Sequence, residues 1–306
     1  MNIIDTEQVN TKPIDQYLLT KKMFQPALPP RAIDSHKGSF GSIAIIGGDT
    51  GTVGAVLLAA RAALYSGAGR VYAALLSIEA PRIDCSQPEI MLRWPVAISK
   101  LTQLNCVVIG PGLGQSNNAI DLVAFWLAQD KPLLLDADAL NLIANHSRLD
   151  ELIKIRQAET VITPHPGEAA RLLNTSVEHI ALNRIQSALT LAKMYRVTCV
   201  LKGAGSICAN ADGSYFINST GNPGLASAGT GDVLSGIIGS FMAQGLTGFA
   251  AAKLGVYVHG AAADALVAEG VGPVGLTASE VALKARQIIN ALNDVDLQKT
   301  QQSFYK

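Results

Sequence analysis

Residues 42–75 read SIAIIGGDTGTVGAVLLAARAALYSGAGRVYAAL, which is two apolar segments separated by a longer segment rich in alanine and leucine. The first apolar segment, residues 42–46, stops at a glycine pair, and the second, residues 70–75, follows Gly67 and Gly69. Residues 55–65 contain no glycine or proline, which is typical of a helix. A strand, a helix and a second strand in this order predict two parallel strands in a sheet that is buried on both faces.

The same alternation continues along the chain. We predict further apolar strands at residues 106–109, 133–135, 160–163 and 197–201, and helices at residues 119–127, 168–173 and 180–195. Two short segments flank Asp212 and Gly213, which is a hairpin signal and predicts an antiparallel edge to the sheet. The sequence therefore predicts an α/β fold with a mostly parallel central sheet flanked by helices on both faces.

The C-terminal part reads as helical from Gly231 onward. The predicted helices cover residues 232–243, 249–268 and 279–292, and Thr277 with Glu280 forms a capping box before the last of them. We expect the polar tail after Asn293 to be frayed. No composition break divides the chain, so we predict one domain over residues 31–306, preceded by a lead-in segment over residues 1–30.

The composition narrows the class of protein. Lysine plus arginine and aspartate plus glutamate are equal at 24 each in 306 residues, without a basic run, which argues against nucleic-acid binding. We expect no transmembrane helix and no signal peptide. The four cysteines form no C-x-x-C pair, which favours buried free thiols and a cytoplasmic protein.

The strongest motif is residues 220–232, TGNPGLASAGTGD, followed at once by an apolar helix. Backbone amides at a helix N-terminus attract anions such as phosphate, and Gly229, Thr230 and Gly231 lie at that position. Asp232 then falls in the first helical turn. An acid there can simply stabilise the helix start, but the glycines before it favour a nucleotide phosphate site with Asp232 as catalytic base.

Other strand ends carry weaker candidates. Residues 47–54 and 110–114 are glycine-rich and could line a ligand or simply turn the chain. Asp136 and Asp138 could hold Mg²⁺ or cap the following helix. His165, between two prolines, is the histidine that we favour for function, whereas we expect His259 to be a packing residue. Lys202 and Ser206 could bind a phosphate. The sequence contains neither a Walker A loop nor a Rossmann fingerprint.

Taken together, these stretches resemble the ADP/ATP-dependent NAD(P)H-hydrate dehydratase family of the ribokinase-like superfamily. The resemblance runs from about Lys37 to Asn293. The segments that carry it are residues 37–41, 47–55, 110–114, 135–141, 163–168, 202–206 and 222–236. Small departures are Leu225, Ser227 and Ala228, where the family pattern has Met, Thr and Gly.

The resemblance implies nucleotide-dependent dehydration of the S-epimer of hydrated NADH or NADPH, with ADP and Mg²⁺ and release of AMP and phosphate. It implies that Ala55, Gly114, His165 and Asp232 surround the hydrate. It implies that the nucleotide is bound by Lys202, Gly203, Ala204, Gly205, Ser206 and Gly231. It also implies a homo-oligomer, expected to be a tetramer, and a link to a separate NAD(P)H-hydrate epimerase, since residues 1–36 are too few for that domain.

Two other functions are compatible with the motifs. A ribokinase-like kinase of hydroxymethylpyrimidine or thiazole type would use the same phosphate site and Asp232 but would leave a stable phosphorylated product. A nucleotide-sensing module would bind nucleotide without turnover, and Asp232→Asn would then behave like the wild type.

Overall fold

The computed structural model describes residues 14–304, and the side chains of residues 16–293. In chain order the strands are β1 (Ser42–Gly47), β2 (Arg70–Leu75), β3 (Met91–Arg93), β4 (Cys106–Ile109), β5 (Leu133–Leu135), β6 (Thr160–Ile162), β7 (Thr198–Leu201), β8 (Ile207–Ala209) and β9 (Tyr215–Ile217). The helices are α1 (Val53–Tyr65), α2 (Pro95–Ile98), α3 (Asn117–Leu127), α4 (Asp138–Asn145), α5 (Ser147–Ile155), α6 (Pro166–Leu172), α7 (Val177–Leu182), α8 (Arg184–Tyr195), α9 (Thr230–Ala243), α10 (Gly248–Ala268) and α11 (Ala278–Phe304). Short 3-10 turns cover Ile14–Tyr17, Lys21–Phe24 and Pro223–Leu225.

The strands form one sheet in the order β3-β2-β1-β4-β5-β6-β7-β8-β9. Neighbouring strands from β3 to β7 in this order pair in parallel. Strand β8 pairs antiparallel with both β7 and β9, and the hairpin signal at Asp212 predicts its pairing with β9. The prediction of a mostly parallel α/β sheet is confirmed. All the parallel strands therefore end at the same edge, where ligands of open α/β sheets collect.

Helices cover both faces of the sheet because side chains of each strand point alternately to the two sides. Ile43 and Ile45 pack with α1, α9, α10 and α11, whereas Ala44 and Ile46 pack with α2 to α8 on the other face. The fully apolar strands found in the sequence follow from this double burial.

The described part of the lead-in packs on the first of these cores. Leu19, Phe24 and Leu28 are buried there, and the Leu19 amide donates to the Ile217 carbonyl at 2.9 Å. Residues 1–13 lie outside the described part of the chain. The division into a lead-in and one domain over residues 31–306 remains a prediction.

Several sequence expectations need correction. The chain after Asn293 continues α11 to Phe304 rather than fraying, because no glycine or proline interrupts it. Strand β3 was not predicted, since a three-residue strand carries too little periodicity. Cys106, Cys199 and Cys208 are buried free thiols, but Cys85 is exposed.

Across the described residues, no helix combines the length and apolar character needed to cross a membrane.

Candidate active site

The carboxyl ends of β4 to β7 bring several predicted residues to one edge of the sheet. The Asp136 amide donates to the Ile109 carbonyl at 3.2 Å, and the Thr163 amide donates to the Leu135 carbonyl at 3.1 Å. The Lys202 amide donates to the Pro164 carbonyl at 2.9 Å. Parallel pairing thus continues just beyond the strands and fixes the spacing between these loops.

An ion pair joins three elements at the centre of this edge. Lys202 Nζ donates to Asp136 Oδ1 at 2.7 Å, and Ser235 Oγ of α9 donates to Asp136 Oδ2 at 2.6 Å. Burial lowers the pKa of Lys202, but the charges of Asp136 and Glu168 outweigh it, so the pKa is raised. Lys202 therefore stays protonated and can face a phosphate. No local sequence pattern predicts this pair, because its members are 66 residues apart.

The residues before and at the start of α9 form an anion loop, defined here as residues 227–232. Gly229 precedes the helix with a φ of +85°, which favours glycine, and a Cβ there would displace Leu58 Cδ1, only 2.5 Å away. Among the described residues, none accepts a hydrogen bond from the amides of Gly229, Gly231 and Asp232. These amides at the positive end of the helix dipole are available to an anion. The Thr230 amide, which was predicted to be open as well, donates to the Ser227 carbonyl at 3.4 Å.

Side chains hold the anion loop in place. The single hydroxyl proton of Thr230 is shared between the carbonyls of Leu225 and Ser227, which lie 2.8 Å and 2.9 Å from Oγ1. His259 Nε2 lies 2.9 Å from the Thr230 carbonyl, which can only accept, so Nε2 carries the proton. Burial lowers the pKa of His259 to about 4, and the ring is neutral at neutral pH. His259 is buried, as predicted for a packing residue, but it also holds the anion loop through a hydrogen bond that the sequence did not reveal.

Asp232 lies in the first turn of α9 with its carboxylate free. It accepts no hydrogen bond from any side chain or amide in the described part of the chain. Burial and then the charge of Asp136 raise its pKa to about 7, and Lys202 opposes that rise. A carboxylate that titrates near neutrality is a competent general base.

His165 is the N-cap residue of α6, and its side chain is half exposed. Its Nδ1 accepts from the Gly167 amide at 2.9 Å, while Glu168 Oε2 accepts from the His165 amide at 2.7 Å, which completes a capping box. Burial and the charge of Lys202 lower the pKa of His165. Because Nδ1 accepts, the proton of the neutral ring is on Nε2, which lies 3.2 Å from Glu168 Oε1. The fixed position predicted from the flanking prolines thus comes from helix capping as well.

Glu168 is the clearest residue that the sequence reasoning missed. It is buried, and burial raises the pKa of its carboxyl to about 7 despite the opposing charge of Lys202. The capping-box spacing from His165 to Glu168 was the available signal. Its carboxyl belongs to the same electrostatic cluster as Asp136, Lys202 and Asp232.

Two paired glycine loops, residues 47–54 and 110–114, form the neighbouring stretch of the edge. The amides of Gly48 and Asp49 donate to the carbonyls of Pro111 at 3.0 Å and Gly112 at 2.7 Å. Gly114 has a φ of +72°, and a Cβ there would lie 2.7 Å from Asp49 Oδ2. Its amide donates to Asp138 Oδ2 at 2.9 Å. Here the backbone forms the surface, next to the partly buried Ala55 in the first turn of α1.

A cavity of about 580 Å³, called here the α9 cavity, opens beside the anion loop. Its walls include all the residues predicted to bind the nucleotide, namely Lys202, Gly203, Ala204, Gly205, Ser206 and Gly231. Residues 218–223 and His259 also line it. Ser206 Oγ donates to the Gly203 carbonyl at 3.0 Å, so its hydroxyl shapes the loop. Ala55, Gly114 and His165, which the resemblance assigns to the hydrate, are not part of this wall.

The acids at the end of β5 do not fit a magnesium site made by protein alone. Asp136 is occupied by Lys202 and Ser235, and Asp138 accepts from Gly114. No group of three or more His, Cys, Asp or Glu side chains that could hold a metal occurs in the described residues.

Comparison with known proteins agrees with the resemblance seen in the sequence. The model of the NAD(P)H-hydrate dehydratase family matches residues 43–285. The chain is 41% identical over 280 residues to the ADP-dependent (S)-NAD(P)H-hydrate dehydratase of Neisseria meningitidis serogroup B, covering 90% of this chain and 94% of that protein. It is also 41% identical to the bifunctional NAD(P)H-hydrate repair enzyme of Coxiella burnetii, covering 90% of this chain and 56% of that protein. The chain thus spans about half the length of such bifunctional relatives.

A solved structure gives the same result. The ADP/ATP-dependent NAD(P)H-hydrate dehydratase of Bacillus subtilis, co-crystallized with ATP/Mg²⁺, superposes with a TM-score of 0.80 at 29% identity, covering 90% of this chain and 98% of that one. The fold is therefore the ribokinase-like one expected from the sequence, and the chain belongs to the NAD(P)H-hydrate dehydratase family.

Proposed function

We propose that this protein dehydrates the S-epimer of hydrated NADH and NADPH with ADP as co-substrate, releasing AMP and phosphate. The observation that carries the proposal is the free carboxylate of Asp232, with its pKa near 7, one residue beyond the open amide of Gly231 at the wall of the α9 cavity. Family membership and the name of the Neisseria relative supply the substrate class.

The α9 cavity is proposed to hold the nucleotide. Its volume of about 580 Å³ suits a nucleotide, and Lys202 and Gly231 lie on the wall nearest Asp232. The charged ammonium of Lys202 and the open amides of the anion loop are positioned to stabilise negative charge that develops on the terminal phosphate. Residues 203–206 then contact the rest of the nucleotide mainly through backbone.

The hydrate is proposed to lie on the other side of Asp232, against Ala55, Gly114 and His165. Asp232 takes the proton from the hydroxyl of the hydrated ring as that oxygen attacks the terminal phosphorus of ADP, and AMP leaves. The electron pair of the ring nitrogen then expels phosphate, and the adjacent carbon loses a proton to restore the ring double bond. The sum is hydrate plus ADP giving NAD(P)H, AMP and phosphate.

Magnesium is proposed to arrive with the nucleotide, because Mg²⁺ usually binds through substrate phosphates with few protein ligands. The Bacillus subtilis neighbour was co-crystallized with ATP/Mg²⁺. We also propose a cytoplasmic homotetramer that works with a separate NAD(P)H-hydrate epimerase, as the family resemblance implies.

The donor and the reaction are tested together. Purified (S)-NADH hydrate is incubated with enzyme, Mg²⁺ and either ADP or ATP, and NADH absorbance and released phosphate are followed. We expect faster recovery with ADP and one phosphate per NADH. A stable phosphorylated product without recovery of NADH would instead indicate a small-molecule kinase.

A further inference from the structure

A second cavity, called here the edge cavity, lies at the ends of β2 and β3. It has a volume of about 350 Å³ and is lined in part by Leu75, Ser77, Arg82, Arg93 and Trp94. It shares no residue with the α9 cavity, and none of the residues assigned above to the hydrate or the nucleotide lines it.

The edge cavity combines unneutralised positive charge with an aromatic surface. Arg82 and Arg93 are exposed, and neither guanidinium is within salt-bridge or hydrogen-bond distance of a described residue. The nearby Asp84 already accepts from Nε and Nη2 of Arg61, each at 2.7 Å. Trp94 is 45% exposed, and the Arg82 guanidinium lies 5.8 Å from the centre of its ring. Arginine binds phosphate in bidentate fashion, and indole stacks on nucleobases.

A continuous set of contacts connects the edge cavity to the glycine loops of the proposed hydrate site. Gly114 is bonded to Asp138 and approaches Asp49, whose Oδ1 accepts from the Thr50 amide at 2.7 Å. Thr50 Oγ1 in turn lies 3.4 Å from Ser77 Oγ, in the wall of the edge cavity.

The sheet sets the distance between the edge cavity and the proposed hydrate site. Strand β2 is three places from β5 in the strand order. With neighbouring strands about 4.8 Å apart, the two strand ends are roughly 14 Å from each other. An extended dinucleotide can bridge such a distance along the carboxyl edge of a sheet, where dinucleotides bind in open α/β folds.

We propose that the edge cavity binds the adenosine 2′-phosphate half of NADPH hydrate, with Trp94 against the adenine and Arg82 and Arg93 on the 2′-phosphate. This inference rests on the proposed function for the identity of the substrate. It makes the two arginines determinants of preference for NADPH hydrate over NADH hydrate, since only the former carries that phosphate.

Direct binding tests the proposal without turnover. Calorimetry with NADPH, NADH and reduced nicotinamide mononucleotide is compared for the wild type, Arg82→Ala, Arg93→Ala and the matched control Arg148→Ala, whose surface arginine is 70% exposed and lines neither cavity. We expect each cavity variant to weaken NADPH binding roughly tenfold, as for loss of a charged hydrogen bond. Binding of NADH should change far less, and binding of the mononucleotide and all binding to Arg148→Ala should not change.

The outcomes separate this inference from the proposed reaction. Unchanged NADPH affinity in both cavity variants would overturn it, and so would a loss of oligomeric state with unchanged affinity, which would assign the surface to a contact between copies. Arginine-dependent NADPH binding without any recovery of NADH from its hydrate would retain the subsite and reject the reaction.

Discussion

The anion loop and the paired glycine loops lie along the same carboxyl edge of the sheet, but different interactions hold them in place. Around the anion loop, side chains do the positioning, since Asp136 is only 1% exposed and binds both Lys202 and Ser235. In the paired glycine loops, backbone amides and carbonyls bond to one another, and a Cβ at Gly114 would displace the side chain of Asp49.

The anion loop therefore depends on the balance of buried charges, whereas the glycine loops depend on the shape of the backbone. Substitutions around the anion loop should change stability, proton affinity and phosphate chemistry, because they alter a buried charge balance. Substitutions in the glycine loops should mainly change the fit of the hydrate.

The largest effect is expected from Lys202→Met. It leaves Asp136 buried without its cation, which should lower the free energy of unfolding by about 3–5 kcal/mol. ADP binding should be lost as well. Urea denaturation and calorimetry measure the two effects.

The double variant Lys202→Met with Asp136→Asn is the matched control. The neutral amide can still accept from Ser235, so most of the stability should return while ADP binding should not. If the double variant were as unstable as the single one, the buried charge would not be the cause.

The next largest effect concerns pH. The pKa of Glu168 is about 7 in the folded protein, above its usual value of 4.5. The folded state therefore holds a proton more tightly than the unfolded state, and stability is lost as pH rises through about 7. The effect is up to about 3 kcal/mol between pH 5 and pH 8.

Urea denaturation at these two pH values should show a smaller pH dependence for Glu168→Gln than for the wild type. Some dependence should remain, because Asp232 titrates in the same direction. Glu151→Gln, at an exposed position, should behave like the wild type. If the free energy of unfolding changed equally with pH in all three proteins, the raised pKa of Glu168 would be contradicted.

A smaller effect is expected from Gly114→Ala. The left-handed φ should cost about 1–2 kcal/mol of stability, and the new Cβ must displace Asp49. Gly213→Ala is the matched control, because Gly213 has a φ of +89° and open space around its Cβ position. This variant should lose stability only through its backbone conformation. KM for the hydrate should therefore rise in Gly114→Ala alone, with KM for ADP unchanged in both. A rise for ADP would contradict the separation of charge from shape.

The sequence predicted those parts of the fold that depend on local patterns. Alternating apolar strands and helices predicted the parallel sheet, and Asp212 with Gly213 predicted the hairpin whose turn Asp212 stabilises by accepting from the Ser214 amide. The capping box of Thr277 and Glu280 is also confirmed. Strand β3 escaped prediction because three residues show no period.

The candidate site was only partly predictable for a physical reason. Glycine loops and a helix start are local signals, so the position of Asp232 followed from sequence. The pairing of Lys202 with Asp136 and the bond from His259 to Thr230 depend on tertiary packing and leave no local trace. The edge cavity depends on β3 and was missed with it.

The role of Asp232 is tested most directly by recovery of NADH absorbance from (S)-NADH hydrate with ADP and Mg²⁺, using the wild type, Asp232→Asn and the control Asp212→Asn. Loss of a general base typically costs 10²–10⁴-fold in rate. We predict a loss of about that size in kcat for Asp232→Asn, with ADP binding retained and Asp212→Asn active. Wild-type turnover by Asp232→Asn would contradict the assignment of Asp232 as the base.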